Sequence, residues 1–158
     1  MKEINLTQGK VALVDDENYD FLNQFKWYAR RTDGIYYAGR QASSIDGKRK
    51  IIHMHRVIME TPWGFEVDHI NHDGLNNQKY NMRNCIRLQN ARNRQSYGSS
   101  QYLGVSWYNR YNCWVANITI GGKRIHLGYF KEEEDAAKAY NTSALYYYEE
   151  FANLNMVE

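Results

Sequence analysis

Asp68 and His69 are neighbours in the chain, Asn81 follows twelve residues after the histidine, and Asn90 follows nine further on, all between Val67 and Arg94. A carboxylate beside an imidazole, backed by two carboxamides, is the equipment for hydrolysing a phosphodiester with one metal ion. Such a reaction needs a base to deprotonate water and a cation to offset charge on the scissile phosphate and the departing oxygen. Asp68 offers a hard carboxylate oxygen and Asn90 an amide carbonyl, donors suited to Mg2+ or Mn2+, with water and phosphate oxygens completing the octahedron. His69 follows Asp68 in an extended strand and points to the opposite face unless the strand ends between them, so the two can do separate work. Asn81 can pin the intervening loop by bonding its backbone, which fixes the tautomer and orientation of the histidine.

These side chains need a framework. Val67 to Ile70 reads as a strand end, His72-Asp73-Gly74 as a turn, Asn81 to Cys85 as a second short strand, and a helix beginning near Ile86 carries Asn90. Upstream, Lys10 to Val14 and Ile35 to Arg40 look like strands, with turn signals at Asp33-Gly34 and Asp46-Gly47. A short helix is expected over Glu17 to Phe25, with Tyr19, Leu22 and Phe25 on one face. The apolar stretch Lys50 to Met59 should pack beneath the site. It also carries His55, for which two readings stay open: a ring beside the metal site that helps stabilise the leaving group, or a buried ring bonded to backbone. His53 and His72 read as structural or surface residues, and a three-histidine zinc site is disfavoured.

Beyond the polar stretch Asn93 to Ser100, the best domain boundary, the pattern changes to three alternating runs: Tyr102 to Trp107, Cys113 to Ile120 and Lys123 to Phe130. In the second run Trp114, Ala116, Ile118 and Ile120 recur at a period of two, which buries one face and leaves Val115, Asn117 and Thr119 on the other. Gly121-Gly122 supplies a tight hairpin turn. A helix of about 18 residues is expected from Lys131, its apolar side formed by Ala136, Ala137, Tyr140, Ala144, Tyr147 and Tyr148.

Composition narrows the function classes. The 158 residues suit one ordinary domain or two small ones, and 23 aromatic residues, 14 of them Tyr, exceed what a small core needs, so some rings should serve a surface. No run of 18 apolar residues and no apolar leader is present, which makes a cytoplasmic location the default and a membrane partner unexpected. Cys85 and Cys113 are far apart and read as reduced thiols. The net charge of +2 conceals a gradient: residues 67–130 carry eight basic and two acidic groups, whereas residues 131–158 carry two and seven. Positive charge therefore lies where the motifs lie, as a polyanionic partner requires, and the acidic run Glu132 to Asp135 reads as a helix N-terminus.

Val67-Asp68-His69-Ile70-Asn71, Asn76-Asn77, Asn81-Met82-Arg83 and Gln89-Asn90 strongly resemble the HNH motif of phage and intron-encoded homing endonucleases. The similarity runs over roughly residues 4–95, taking in Leu6 to Lys10 and His55 to Met59. It implies a ββα-metal fold, with His69 as general base, Asp68 and Asn90 as ligands of one divalent ion (Mg2+ or Mn2+), and Asn81 as the asparagine that clamps the loop. Two departures stand out. The metal-bearing helix is preceded by Cys85-Ile86 where Ser or Thr often caps, so that the cap comes from Asn84 or is absent, and His72 replaces a glycine or small polar residue.

Tyr102 to Trp107, Cys113 to Ala116, His126 to Phe130, Asp135 to Tyr140 and Phe151 to Asn155 resemble the Apetala-type (ethylene-response-factor) DNA-binding domain. That resemblance covers about residues 99–155 and implies a three-stranded antiparallel sheet packed on one helix, with the sheet in the major groove of duplex DNA. Physical considerations agree. Residues 97–130 hold Arg110, Lys123 and Arg124 and no acid, so the sheet side can approach phosphates. Candidate DNA contacts are Ser106, Trp107, Arg110, Asn117, Thr119, Lys123, Arg124 and His126, joined by Arg83, Arg92 and Arg94 from the preceding basic segment. Trp107 is as well suited to core as to contact, and Trp114 is better suited to core.

The combined expectation is an α+β protein: a small mixed β/α region with a ββα-metal motif (residues 1–96, core about 66–95), then a sheet-on-helix module (97–158). The implied activity is that of a metal-dependent endonuclease, of phage or mobile-element origin, that nicks or cuts duplex DNA in the host cytoplasm and is monomeric by preference. The rivals are a DNA-binding regulator whose nuclease fold is inactive and an RNA-processing nuclease.

Overall fold

A computed structural model describes residues 1–42, 50–94, 96 and 98–157. The Asp46-Gly47 turn lies outside them. The chain forms two compact units, Met1–Arg87 and Leu88–Glu158, and is α+β throughout.

In the first unit, β1 (Lys2–Asn5) and β2 (Val11–Val14) form an antiparallel hairpin, followed by helix α1 (Asp16–Leu22). The helix is shorter than the expected Glu17 to Phe25. Its last carbonyl, on Leu22, accepts from the indole Nε1 of Trp27 at 2.8 Å and from the backbone of Phe25, so the chain turns there and Phe25 packs on the core from outside the helix. Strands β3 (Tyr28–Thr32), β4 (Ile35–Gln41) and β5 (Ile51–His53) form an antiparallel sheet with β4 central. The apolar stretch 50–59 divides between β5 and helix α2 (Met54–Ile58). Strand β6 (Glu66–His69) pairs with β7 (Met82–Cys85), and α3 (Arg87–Asn90) follows.

One core unites these pieces: Ile4, Val14, Leu22, Trp27, Met54, Ile58 and Met82 are buried together, with Val67 and Leu75 packed against them. Met54 and Ile58 therefore lie under the β6–β7 hairpin through Met82, as the apolarity of their segment suggested. Burying each such side chain contributes on the order of 1.5–3 kcal/mol.

In the second unit, β8 (Val105–Tyr108), β9 (Cys113–Ile120) and β10 (Lys123–Phe130) make a three-stranded antiparallel sheet with β9 central, and helix α4 (Glu133–Tyr148) packs on one side of it. Ala136 and Ala137 pack with Val105 and Ala116, while Tyr140, Ala144 and Tyr148 pack with Leu103 and Ile118. Tyr147, expected on this apolar side, is 44% exposed. The covered stripe runs 136, 140, 144, 148, and because four residues turn a helix by about 400°, it drifts around the axis and leaves Tyr147 outside. Asn155 closes the unit: its side chain accepts from the Leu103 N–H at 2.6 Å and donates to the Leu103 carbonyl at 3.1 Å, tying the C-terminal segment to the chain entering β8.

Among the described residues no helix is long and apolar enough to cross a membrane. Both cysteines are free; burial pushes the Cys85 thiol up to about 11.

Candidate functional site

Strand β6 ends at His69, where the next turn begins with the His72 N–H bonded to the His69 carbonyl. Asp68 and His69 are 4% and 6% exposed, and their neighbours differ. Asp68 faces Arg83, its partner in the β6–β7 register, and its Oδ2 accepts from Nε at 2.9 Å and from Nη2 at 2.8 Å. Arg83, counted among the DNA contacts, thus carries an internal ion pair. The His69 ring instead joins a group of rings. His55 meets it edge-on with centroids 5.2 Å apart, His53 stacks on His55 at 5.1 Å, and Tyr37 lies within 6.5 Å of all three.

Burial lowers the pKa of all three histidines below the usual imidazole range. For His69 the Asn77 carboxamide and the carboxylates of Asp68 and Asp73 oppose the effect of burial. His55 is pushed down to about 3, by burial first and then by His69, His53 and Arg56. The backbone bond weighed for His55 is not made through Nδ1, which is buried with no hydrogen-bond partner among the described residues.

This arrangement sets a pH dependence of stability. An unfolded chain protonates its histidines near pH 6.5, whereas folded His55 stays neutral until about pH 3, so the unfolded state binds more protons between those values. Stability should therefore fall as pH drops below about 6.5, by up to about 1.4 kcal/mol per pH unit from this one residue. His55→Phe should flatten that slope in urea unfolding between pH 7 and pH 5; an unchanged slope would assign it to other groups.

The loop from Ile70 to Tyr80 is closed by Asn81. Its Oδ1 accepts from the Asn71 N–H at 3.1 Å, its Nδ2 donates to the Asn76 carbonyl at 2.9 Å, and its own carbonyl accepts from the Ile70 N–H at 2.8 Å. Strand β2 holds the loop from the other side: the Leu13 N–H bonds the Leu75 carbonyl, the Leu13 carbonyl accepts from Asn77, and the Asp15 carboxylate accepts from Gln78 and Lys79. Sequence reasoning missed Leu13 and Asp15, since backbone pairing across some 60 residues leaves no local signal. His72 occupies a left-handed conformation (φ 63°), which accounts for the glycine or small residue usual there. The Asn84 amide, considered as a helix cap, donates to the Met59 carbonyl at 3.0 Å. Asn81→Ala removes both side-chain bonds and leaves the Asn76 carbonyl and Asn71 N–H without this partner. The expected cost is about 2–3 kcal/mol, with faster amide exchange in residues 70–80; unchanged exchange there would refute the clamp.

Asn90 ends α3 and belongs to the second unit, half-buried. In that unit the Arg92 guanidinium lies 4.3 Å over the ring of Tyr148, and the Arg94 backbone carbonyl accepts from Asn153.

The sheet face turned away from α4 bears Ser106, Asn117, Thr119, Arg124 and His126, where alternation and register put them. Val115 shares this face but is not exposed. At 8% exposure it forms the floor of a concavity of about 370 Å³ between Tyr108 and Tyr129, whose bulk covers it. Tyr129 reaches this face because the register shifts between His126 and Gly128, a β-bulge that reverses the alternation. With Tyr108, Tyr111 and His126 it forms an aromatic cluster with centroids 4.6–5.9 Å apart, which sequence reasoning anticipated only as surplus tyrosine. Trp107 pairs with Trp114 in the register and contacts it edge-on at 5.1 Å, on the same face as Val105 and Ala116, the helix side. It is still 39% exposed. Lys123 and Arg110 are exposed at the β9–β10 hairpin and the β8–β9 connection.

Fold and site together describe an α+β protein with an HNH-like hairpin in its first unit and an Apetala-like sheet on a helix in its second. No family model matches the chain. It is 29% identical over 157 residues to an HNH endonuclease, itself uncharacterized, of Acanthamoeba polyphaga mimivirus, an alignment covering 96% of this chain and 78% of the viral protein. Part of the chain is similar to plant proteins: 39% identical over 64 residues to an AP2-like ethylene-responsive transcription factor of Arabidopsis thaliana, and 43% over 47 residues to an APETALA2-like protein of Oryza sativa. These alignments cover 39% and 30% of this chain and 11% of each plant protein. The chain is thus similar to an HNH endonuclease over nearly its whole length and to AP2-type proteins over 30–39% of it.

Proposed function

We propose that this chain is a divalent-metal-dependent endonuclease acting on duplex DNA. His69 is the general base, Asp68 and Asn90 hold the metal, Asn81 clamps the loop, and the outer face of the β8–β10 sheet binds the DNA. The observation that carries the reading is the buried Asp68-His69 pair at the end of β6, followed by a loop that Asn81 holds through its bonds to Asn71 and Asn76. The viral relative's name supports a nuclease and the plant relatives' names a DNA-binding sheet. The resemblance of the Asp68 to Asn90 motif to phage and intron-encoded homing endonucleases adds a role in homing to this proposal.

Burial keeps His69 uncharged near neutrality, so it can take a proton from water. Its rings of contact, His55 and Tyr37, fix its plane. Asp68 is a hard donor whose charge Arg83 already offsets in part, and Asn90 offers an amide oxygen. On this proposal the chain would supply one carboxylate and one amide oxygen, with water and phosphate oxygens completing the octahedral shell. Bound there, Mg2+ or Mn2+ would offset charge on the scissile phosphate.

A supercoiled plasmid tests the reading. Purified protein with Mg2+ or Mn2+ should convert it to nicked or linear form. Plasmid that is bound but left intact with both ions would defeat the nuclease proposal in favour of an inactive regulator, and preference for structured RNA would favour an RNA-processing enzyme. Asp68→Ala should raise the metal concentration needed for half-maximal cleavage by at least about tenfold; an unaltered titration would remove Asp68 from the ligands.

A further inference from the structure

The outer face of the β8–β10 sheet is poor in arginine. Arg124 is its one guanidinium among the described residues of the three strands, and around it lie Ser106, Asn117, Thr119 and His126 over the apolar floor of Val115. We infer that this face selects A·T base pairs in the major groove of duplex DNA, with Asn117 paired to an adenine. The inference rests on the DNA-binding reading above and assigns its sequence preference.

Charge supports DNA as the occupant. No Asp or Glu occurs from residue 97 to 130, while Arg110, Lys123 and Arg124 do, so a polyanion meets no repulsion along these strands. The major groove admits a β-ribbon, and there each base shows its own pattern of donors and acceptors. Guanine is read by Arg or Lys, which offer two donors to O6 and N7. Cytosine is read by a carboxylate that accepts from N4, and the three strands contain none. Adenine presents an N6 donor beside an N7 acceptor, and the carboxamide of Asn matches both at once: Oδ1 accepts from N6–H and Nδ2 donates to N7.

Asn117 is placed for that contact. It lies mid-way along the central strand, opposite His126, and its side chain lines the concavity. Its Nδ2 is buried with no hydrogen-bond partner among the described residues. An unpaired donor of this kind is costly to keep, and adenine N7 is an acceptor that would satisfy it. The terminal amide rotates about a soft torsion, so it can turn into the concavity without moving the strand.

Selection of duplexes from a random library by the full-length protein tests this, with divalent metal omitted so that nothing is cut. The recovered motif should contain at least one fixed A·T pair. Asn117→Ala should lower the preference at that pair about tenfold or more and leave the other positions unchanged, and Asn117→Arg should move it towards G·C. A motif built only from G·C positions overturns the inference while DNA binding stands. So does a motif unaltered in both variants. Failure to bind any duplex overturns the DNA-binding reading and this inference with it.

Discussion

If His69 is the proposed general base, His69→Ala should lower the rate of plasmid cleavage roughly 100- to 10,000-fold, while affinity for duplex DNA stays within about twofold of the parent. The asymmetry follows from the role: a general base acts on the proton that moves in the transition state and contributes little to the ground-state complex. The ring also packs, against His55 at 5.2 Å and Tyr37 at 5.8 Å, so alanine leaves a gap that must be separated from lost basicity. His69→Phe retains an aromatic ring there but has no nitrogen. If phenylalanine restores thermal stability without restoring cleavage, the imidazole nitrogen is what the reaction needs. Equal loss of binding and cutting in a stable variant would remove His69 from the role of base.

Gly104→Ala should destabilise the second unit by about 2–5 kcal/mol and remove most DNA affinity with it. Two costs combine. Gly104 has φ of +72°, a left-handed conformation that an L side chain enters only at a penalty. A methyl group built there would also run into the ring of Tyr140 and come within 2.6 Å of the Asn117 carbonyl. Tyr140 is buried between sheet and helix and cannot withdraw, and the Gly104 carbonyl accepts from the Asn117 N–H at 2.8 Å, so the backbone cannot shift without breaking that bond. Urea unfolding followed by the fluorescence of Trp107 and Trp114 reads the change. A midpoint equal to the parent's would show that the turn before β8 yields more easily than this packing allows.

The legible parts of the chain were those governed by local rules. Alternation in Cys113–Ile120, the Gly121-Gly122 turn and the alanines of α4 correctly announced a hairpin and a helix that lies on it. Each rule failed where one residue broke its period or where distant chain intervened. The bulge between His126 and Gly128 carries Tyr129 to the outer face, and the crowding of Tyr108 and Tyr129 hides Val115. Spacing also singled out Asp68, His69 and Asn81, yet it was silent on the company each keeps. Arg83 meets Asp68 because the β6–β7 register sets them opposite each other. His55 meets His69 because α2 packs under the same hairpin.

By itself, the sequence determined the α+β class and the sheet-on-helix module and singled out Asp68, His69, Asn81 and Asn90 as candidates, because periodicity, turn residues and donor types are properties of short segments. Tertiary structure alone decided the ion pair on Asp68, the burial that lowers the pKa of His69, the clamping of the 70–80 loop by Leu13 and Asp15, and which residues of the sheet face are open. Those depend on burial and on pairing between segments far apart in the chain, and the desolvation that tunes a histidine exists only once the core has closed around it.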